Sequence, residues 1–216
     1  MSDTVTIASH FEDAEQQREA GLMGMWLFLA TELMLFAGLF GAFGIYRGLH
    51  GEAFAEAARH LDLPLASINT AILLTSGLTM ALAERSVQAG LIVVARRWIV
   101  ATVALGAVFL VIKGYEWHHE FAEGLMPLLG LPFDYDGSHP AQAELFFDFY
   151  FAMTGLHALH MLVGLGALAV LWVLGRPQPG PRADRYIRQM RITGMYWAFV
   201  DVVWVFVFTS LYLLRS

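Results

Sequence analysis

Glu32, His157, His160 and Asp201 are ionisable residues set inside stretches that otherwise suit only lipid. A charged group at the centre of a bilayer costs about 3 kcal/mol or more unless it faces protein, water or a partner. Four of them therefore imply a polar seam packed between helices. The chemistry open to such a seam is carboxylate–imidazole pairing, proton relay or metal ligation. Glu116-x-x-His119 has the spacing of one half of a di-iron carboxylate site, but no second copy follows, so a solvated loop end is expected there. His157-x-x-His160 presents two potential ligands on one helix face. His10, His50, His60 and His139 are scattered through polar segments, and a membrane hydroxylase or a multi-haem centre needs several more intramembrane histidines. The absence of cysteine removes iron–sulfur clusters, thiolate copper sites and disulfides. No nucleophile–base pair and no phosphate loop is visible, so the residues read as those of an enzyme's partner.

The elements that position these groups are five apolar spans. Hydrophobic residues make up 57% of the 216 and charged residues only 15%, against about a quarter charged in a soluble domain. Spans are expected at about 22–46, 64–83, 98–115, 145–174 and 192–214, each long enough for the roughly 20 helical residues that cross a hydrocarbon core. The fold class is thus an all-α membrane protein, a bundle of five transmembrane helices within a domain of residues 21–216. Residues 1–20 are polar and mostly acidic, unlike a cleavable signal, and are expected to form a cytoplasmic N-terminal segment. With a net charge of −6 and no basic stripe, nothing points to nucleic acid.

Arginine placement predicts orientation. Arg18, Arg85, Arg96, Arg97, Arg176, Arg182, Arg185, Arg188 and Arg191 fall on one side, nine of the thirteen basic residues. Arg47, Arg59 and Arg215 fall on the other, with Lys113 at a span edge. The amino terminus is expected in the cytoplasm and the carboxyl terminus in the periplasm. Glu32, Asp201, His157 and Ser76 then lie at similar depth, which predicts a shared middle layer. Asn69 and Ser76, seven apart, share a face of the second span and suit interhelical hydrogen bonds. Asp201 shares a face with Trp197 and Trp204. Glu32 and Asp201 are read as structural hydrogen-bonding acids in preference to proton conductors. Gly38, Gly41, Gly44 and Gly48 recur at spacings that let helix backbones approach closely, as a docking face or as ordinary glycine enrichment. Residues 51–62 predict a short amphipathic piece at the outer interface, and Pro64 a helix start. Glu116, His119, Glu120 and Glu123 are placed to line one face of an extension of the third span.

In order, the blocks G-M-W-L-F-L-A-T-E-L-M-L-F-A-G-L-F, I-N-T-A-I-L-L-T-S-G-L-T-M-A-L-A, K-G-Y-E-W, F-A-M-T-G-L-H-A-L-H-M-L-V-G and Y-W-A-F-V-D-V-V-W-V-F resemble subunit III of the haem–copper cytochrome c oxidases. Together they cover nearly all of residues 21–216. The resemblance implies a subunit of the cytoplasmic (inner) membrane with no redox centre or metal of its own. It would pack on the catalytic subunit I beside subunit II and, in some complexes, subunit IV, and would hold phospholipid and sustain proton uptake. Haem and copper would reside in the partner subunits, with cytochrome c or quinol as electron donor. By motif position Glu32, Glu116, His157, His160 and Asp201 match the family's intramembrane acids and histidine pair. Three departures stand out. Ala198 replaces a usual His, Glu84 and Arg85 replace a frequent His pair, and the two additional amino-terminal helices of longer relatives have no counterpart. The competing readings are an accessory subunit of nitric oxide reductase and an autonomous membrane metalloenzyme.

Overall fold

A computed structural model describes residues 14–127, 133–175 and 181–213. The acidic residues 1–13, residues 128–132, residues 176–180 and Arg215 lie outside the described residues. The described chain is helical throughout: α1 (Ala14–Leu49), α2 (Gly51–Ala58), α3 (Leu63–Gln88), α4 (Ile92–Ala122), α5 (Pro140–Leu174) and α6 (Pro181–Phe208). A π-helical turn, Thr209–Leu213, continues α6. Five of these, all but α2, are long and apolar enough to cross a membrane. Each begins before its expected start, and α1, α3 and α4 also end beyond their expected limits, because polar residues at helix ends extend into the interface without breaking the backbone hydrogen-bond ladder.

Helix starts follow from local chemistry. The Asp62 carboxylate accepts a hydrogen bond from the Leu65 N–H at 2.9 Å, and Pro64 follows in the first turn of α3, where its missing donor costs nothing. The α3–α4 turn closes on Gly90 at φ +74°, a left-handed conformation that favours glycine. The amphipathic piece after α1 is α2, whose Phe54 meets Phe43 and Phe146 edge-on or tilted at 5.6 Å.

The packing has a heptad rhythm. Buried residues on α3 fall at 66, 69, 73, 76, 80, 83 and 87, with Thr70 and Thr79 beside that stripe, and on α4 at 95, 99, 102, 106, 109, 113, 116 and 120. This alternation of threes and fours places one stripe of each antiparallel helix against the other, the geometry of a left-handed coiled coil. α3 packs most extensively on α4 and next on α6, and α5 lies across α4 and α6. Trp197 of α6 fits between α4 and α5 where they carry glycine. A Cβ at Gly106 would lie 3.0 Å from its ring, and one at Gly164 2.9 Å from it.

α1 sits at the periphery. It buries Leu29, Phe36 and Phe43, spaced seven apart as a single narrow stripe. Met23, Leu27, Leu33, Met34 and Ile45 face outward. A Cβ at Gly38, Gly41, Gly44 or Gly48 would meet nothing within 4 Å, so these glycines dock no helix of this chain among the described residues.

Candidate functional site

The polar seam is not one network. It divides into a closed pair, a set of helix-to-helix ties, an aromatic box, a buried ionic cluster and an acid at the floor of a groove.

The closed pair joins α1 to α5. Glu32 Oε2 and His160 Nε2 are 3.0 Å apart, both largely buried. His160 Nδ1 lies 2.7 Å from the Leu156 carbonyl, which can only accept. That contact fixes a proton on Nδ1, so Nε2 either accepts from a protonated Glu32 or, as imidazolium, donates to its carboxylate. In both arrangements a single proton lies between the two residues. The Tyr196 hydroxyl donates to the His160 carbonyl at 2.9 Å and stacks its ring near the imidazole.

Asn69 and Ser76 tie α3 to its neighbours. Asn69 Nδ2 donates to the Phe109 carbonyl at 3.2 Å, and Trp197 Nε1 donates to Ser76 Oγ at 3.0 Å. Trp204 Nε1 donates to Thr70 Oγ1 at 2.9 Å, and the Thr79 and Thr102 hydroxyls meet at 2.8 Å. These are interhelical bonds of the kind that hold membrane bundles together.

His157 does not join His160. It is buried between Phe109 and Trp204, with ring centroids 5.6 and 4.9 Å away, and neither of its nitrogens has a hydrogen-bond partner among the described residues. The i,i+3 pair therefore splits, one ring filling the α4–α6 interface and the other facing α1. With both His160 nitrogens engaged and His157 boxed in by rings, the pair does not form a bidentate metal or haem site. Among the described residues, no group of three or more His, Cys, Asp and Glu is placed to hold a metal ion.

Glu116 is not a solvated loop end, and Lys113, at the edge of the expected span, turns inward with it. Both are nearly fully buried, at 3% and 2% exposure. Lys113 Nζ donates to Glu116 Oε1 at 3.0 Å, to the Tyr150 hydroxyl at 3.1 Å and to the Tyr212 hydroxyl. Both tyrosine hydroxyls also donate to Glu116 Oε1, Tyr150 at 2.7 Å. The ammonium lies 4.7, 5.1 and 5.4 Å from the ring centroids of Tyr150, Tyr212 and Trp204, within cation–π range. The π-helical turn carries Tyr212 into this cluster. The expected single acidic face splits as well: Glu116 and Glu120 turn into the bundle, whereas His119 and Glu123 pair at 3.5 Å in solvent. The α4 members of the cluster follow the 3–4 rhythm of 95, 99, 102, 106 and 109, which runs on through 113, 116 and 120 and is the one sequence signal for them.

Among the described residues, no hydrogen bond or ion pair joins Asp201 to Glu32 or to either histidine. Asp201 is 8% exposed, and its Oδ1 has no hydrogen-bond partner among the described residues. The carboxyl occupies space that Gly77 leaves open, since a Cβ there would lie 2.1 Å from Oδ2. It lines a groove of about 300 Å³ between α3 and α6. Glu84 and Ala198, two of the positions that depart from the resembled motifs, line the same groove.

Comparison with known proteins agrees with this architecture. The family model described as cytochrome c oxidase subunit III matches residues 2–124 and 134–216. The chain is 33% identical over 195 residues to cytochrome c oxidase subunit 3 of Corynebacterium diphtheriae, covering 89% of this chain and 87% of that one. It is 34% identical over 209 residues to the protein of the same name from Alkalihalophilus pseudofirmus, covering 96% and 93%. Cytochrome bo(3) ubiquinol oxidase subunit 3 of Pseudomonas aeruginosa is 30% identical over 221 residues, covering 100% of this chain and 95% of that one. With the motif blocks, the five spans and a match along almost its whole length, this multi-pass membrane protein belongs to the cytochrome c oxidase subunit III family.

Proposed function

We propose that this chain is the non-redox third subunit of a haem–copper terminal oxidase. It packs on the catalytic subunit beside subunit II, and in some assemblies subunit IV, while haem and copper are held by those partners. The observation that carries this reading is the family match over nearly the whole chain. The interior supports it. Glu32, Ser76, His160 and Lys113 close on partners within the bundle, and their contacts tie helices together.

In this reading the amino terminus is cytoplasmic and the carboxyl terminus periplasmic, in an inner membrane of bacterial type, which the arginine distribution supports. Bound phospholipid belongs to the same reading. The outward apolar face of α1, with its open glycines, suits acyl chains or an adjoining subunit. The subunit's contribution is to keep the catalytic partner's surroundings intact, so that proton uptake keeps pace over many turnovers.

Purification of the tagged, intact chain in mild detergent tests this. A haem- and copper-containing partner that consumes oxygen is expected to co-purify in fixed ratio, with the visible spectrum assigned to that partner. A nitric-oxide-reducing partner, or a stoichiometric coloured group on this chain alone, would overturn the assignment.

A further inference from the structure

The geometry points to the α3–α6 groove as the seat of a donor-bearing side chain from a transmembrane helix of another polypeptide, hydrogen-bonded to Asp201. The groove is walled by Gly77, Ala81, Glu84, Gly194 and Ala198, with Asp201 at its floor. Asp201 is more than nine-tenths buried, yet Oδ1 has no partner among the described residues. With Oδ1 enclosed and unmatched, and Oδ2 in the space that Gly77 leaves open, the carboxyl gains a partner only from a donor supplied through the groove.

Depth decides what that donor belongs to. Asp201 lies twelve residues before Leu213 and twenty after Pro181, about 18 and 30 Å along the helix at 1.5 Å per residue. Lipid headgroups stay at the interfaces, and acyl chains at this depth carry no donor. A neighbouring helix reaches it readily. Leu74, Met80 and Trp197 also line the groove, but at Gly77, Gly194 and Ala198 its walls carry little or no side chain, and there a second backbone can approach closely. Glu84, two turns from Gly77 and about 10 Å along α3, marks the other end of the groove. Its Oε1 already accepts from Gln88 Nε2 at 3.2 Å, which leaves Asp201 as the acid without a partner. The incoming group is thus a hydroxyl, indole, imidazole or amine side chain that projects from a membrane helix.

This inference rests on the reading of the chain as a subunit, and its test separates the two. A benzophenone side chain placed at position 198 is irradiated in native membranes holding the full complex. A discrete polypeptide adduct is expected, at least five-fold weaker when Asp201→Leu is added and retained with Asp201→Asn, whose amide oxygen still accepts. Lipid adducts alone, no adduct, or a polypeptide adduct of equal yield with Asp201→Leu would overturn the inference, whatever co-purifies. Ala198→Trp provides a check that leaves the chain's core untouched. By filling the groove from an exposed position it is expected to lower retention of the cross-linked partner several-fold through detergent extraction. Unchanged retention would equally overturn it.

Discussion

Glu32 and His160 meet 3.0 Å apart although 128 residues separate them in the chain, and this contact is a polar tie between peripheral α1 and the bundle. The Leu156 carbonyl orients the imidazole, so the pair is set by α5 and completed by α1. Removing Glu32 leaves His160 Nε2 facing apolar neighbours such as Phe36. Interhelical hydrogen bonds in membranes average about 0.6 kcal/mol and reach about 1.7, and an unmatched buried group adds to the loss. Glu32→Ala is expected to lower α1 docking by about 1–2 kcal/mol, whereas Glu32→Gln, which still donates to Nε2, loses less than half as much. Thermal unfolding in detergent reads the difference. In the assembled oxidase, Glu32→Ala should hasten inactivation over many turnovers more than it lowers the initial rate. Inactivation at the wild-type pace would count against the proposed role.

Lys113 and Glu116 form a buried ion pair at the convergence of α4, α5 and the end of α6. Breaking such a pair by removing one partner costs about 3–5 kcal/mol, because the other is left charged and enclosed. Lys113→Met and Glu116→Leu should each destabilise by that order, and the double variant by clearly less than their sum. Additive losses in a double-mutant cycle would mean that the pair is not coupled as its geometry requires.

Gly77 and Asp201 offer a steric test. Gly77→Ala puts a methyl 2.1 Å from Asp201 Oδ2, so the carboxyl must rotate or the helices separate. Overpacking of this kind costs about 1–3 kcal/mol, offset in part by the helix preference for Ala over Gly of about 0.5–1 kcal/mol. The net expectation is destabilisation of the single variant, with Gly77→Ala harmless or favourable once Asp201→Ala has made room. Gly38→Ala, which meets nothing within 4 Å, should leave the isolated chain's unfolding midpoint unchanged or higher. A loss at Gly38 equal to that at Gly77 would contradict the packing described.

Hydropathy made the five spans legible, because lipid demands long apolar runs with internally satisfied backbones. It misplaced their ends by as much as eleven residues, at Pro181, since an amphipathic helix end carries charge without losing its helix. Glu32 was recognisable as a residue in need of a partner, but which histidine answers it was not. Residues 157 and 160 are a turn apart, and only the placement of α1 distinguishes them. The inward turn of Lys113 was hidden for a different reason. A charge at a span edge suggests snorkelling to water, and the heptad register that turns it inward becomes decisive only when α4 is known to pair along its full length. The Tyr150 and Tyr212 hydroxyls joining Lys113 come from 37 and 99 residues away, a relation no local periodicity carries.

His157 and His160 provide the last contrast, because one motif supplies both and their surroundings differ. His157 offers two nitrogens that meet no partner among the described residues, inside a box made by Phe109 and Trp204. Replacing a polar group that lacks partners by an apolar ring of similar shape removes a desolvation cost and breaks no bond. His157→Phe is therefore expected to lie within about 1 kcal/mol of the parent, on the stabilising side if the slightly larger ring is accommodated. His160→Phe deletes the bond to Glu32 and strands that acid, a loss of about 1–3 kcal/mol. A metal or proton-relay role for the pair predicts the reverse emphasis, with both residues needed together. Unfolding midpoints of the two single variants, measured in the same detergent, decide between the readings. A His157→Phe protein less stable than His160→Phe would show that the buried imidazole has a partner that its aromatic box does not account for.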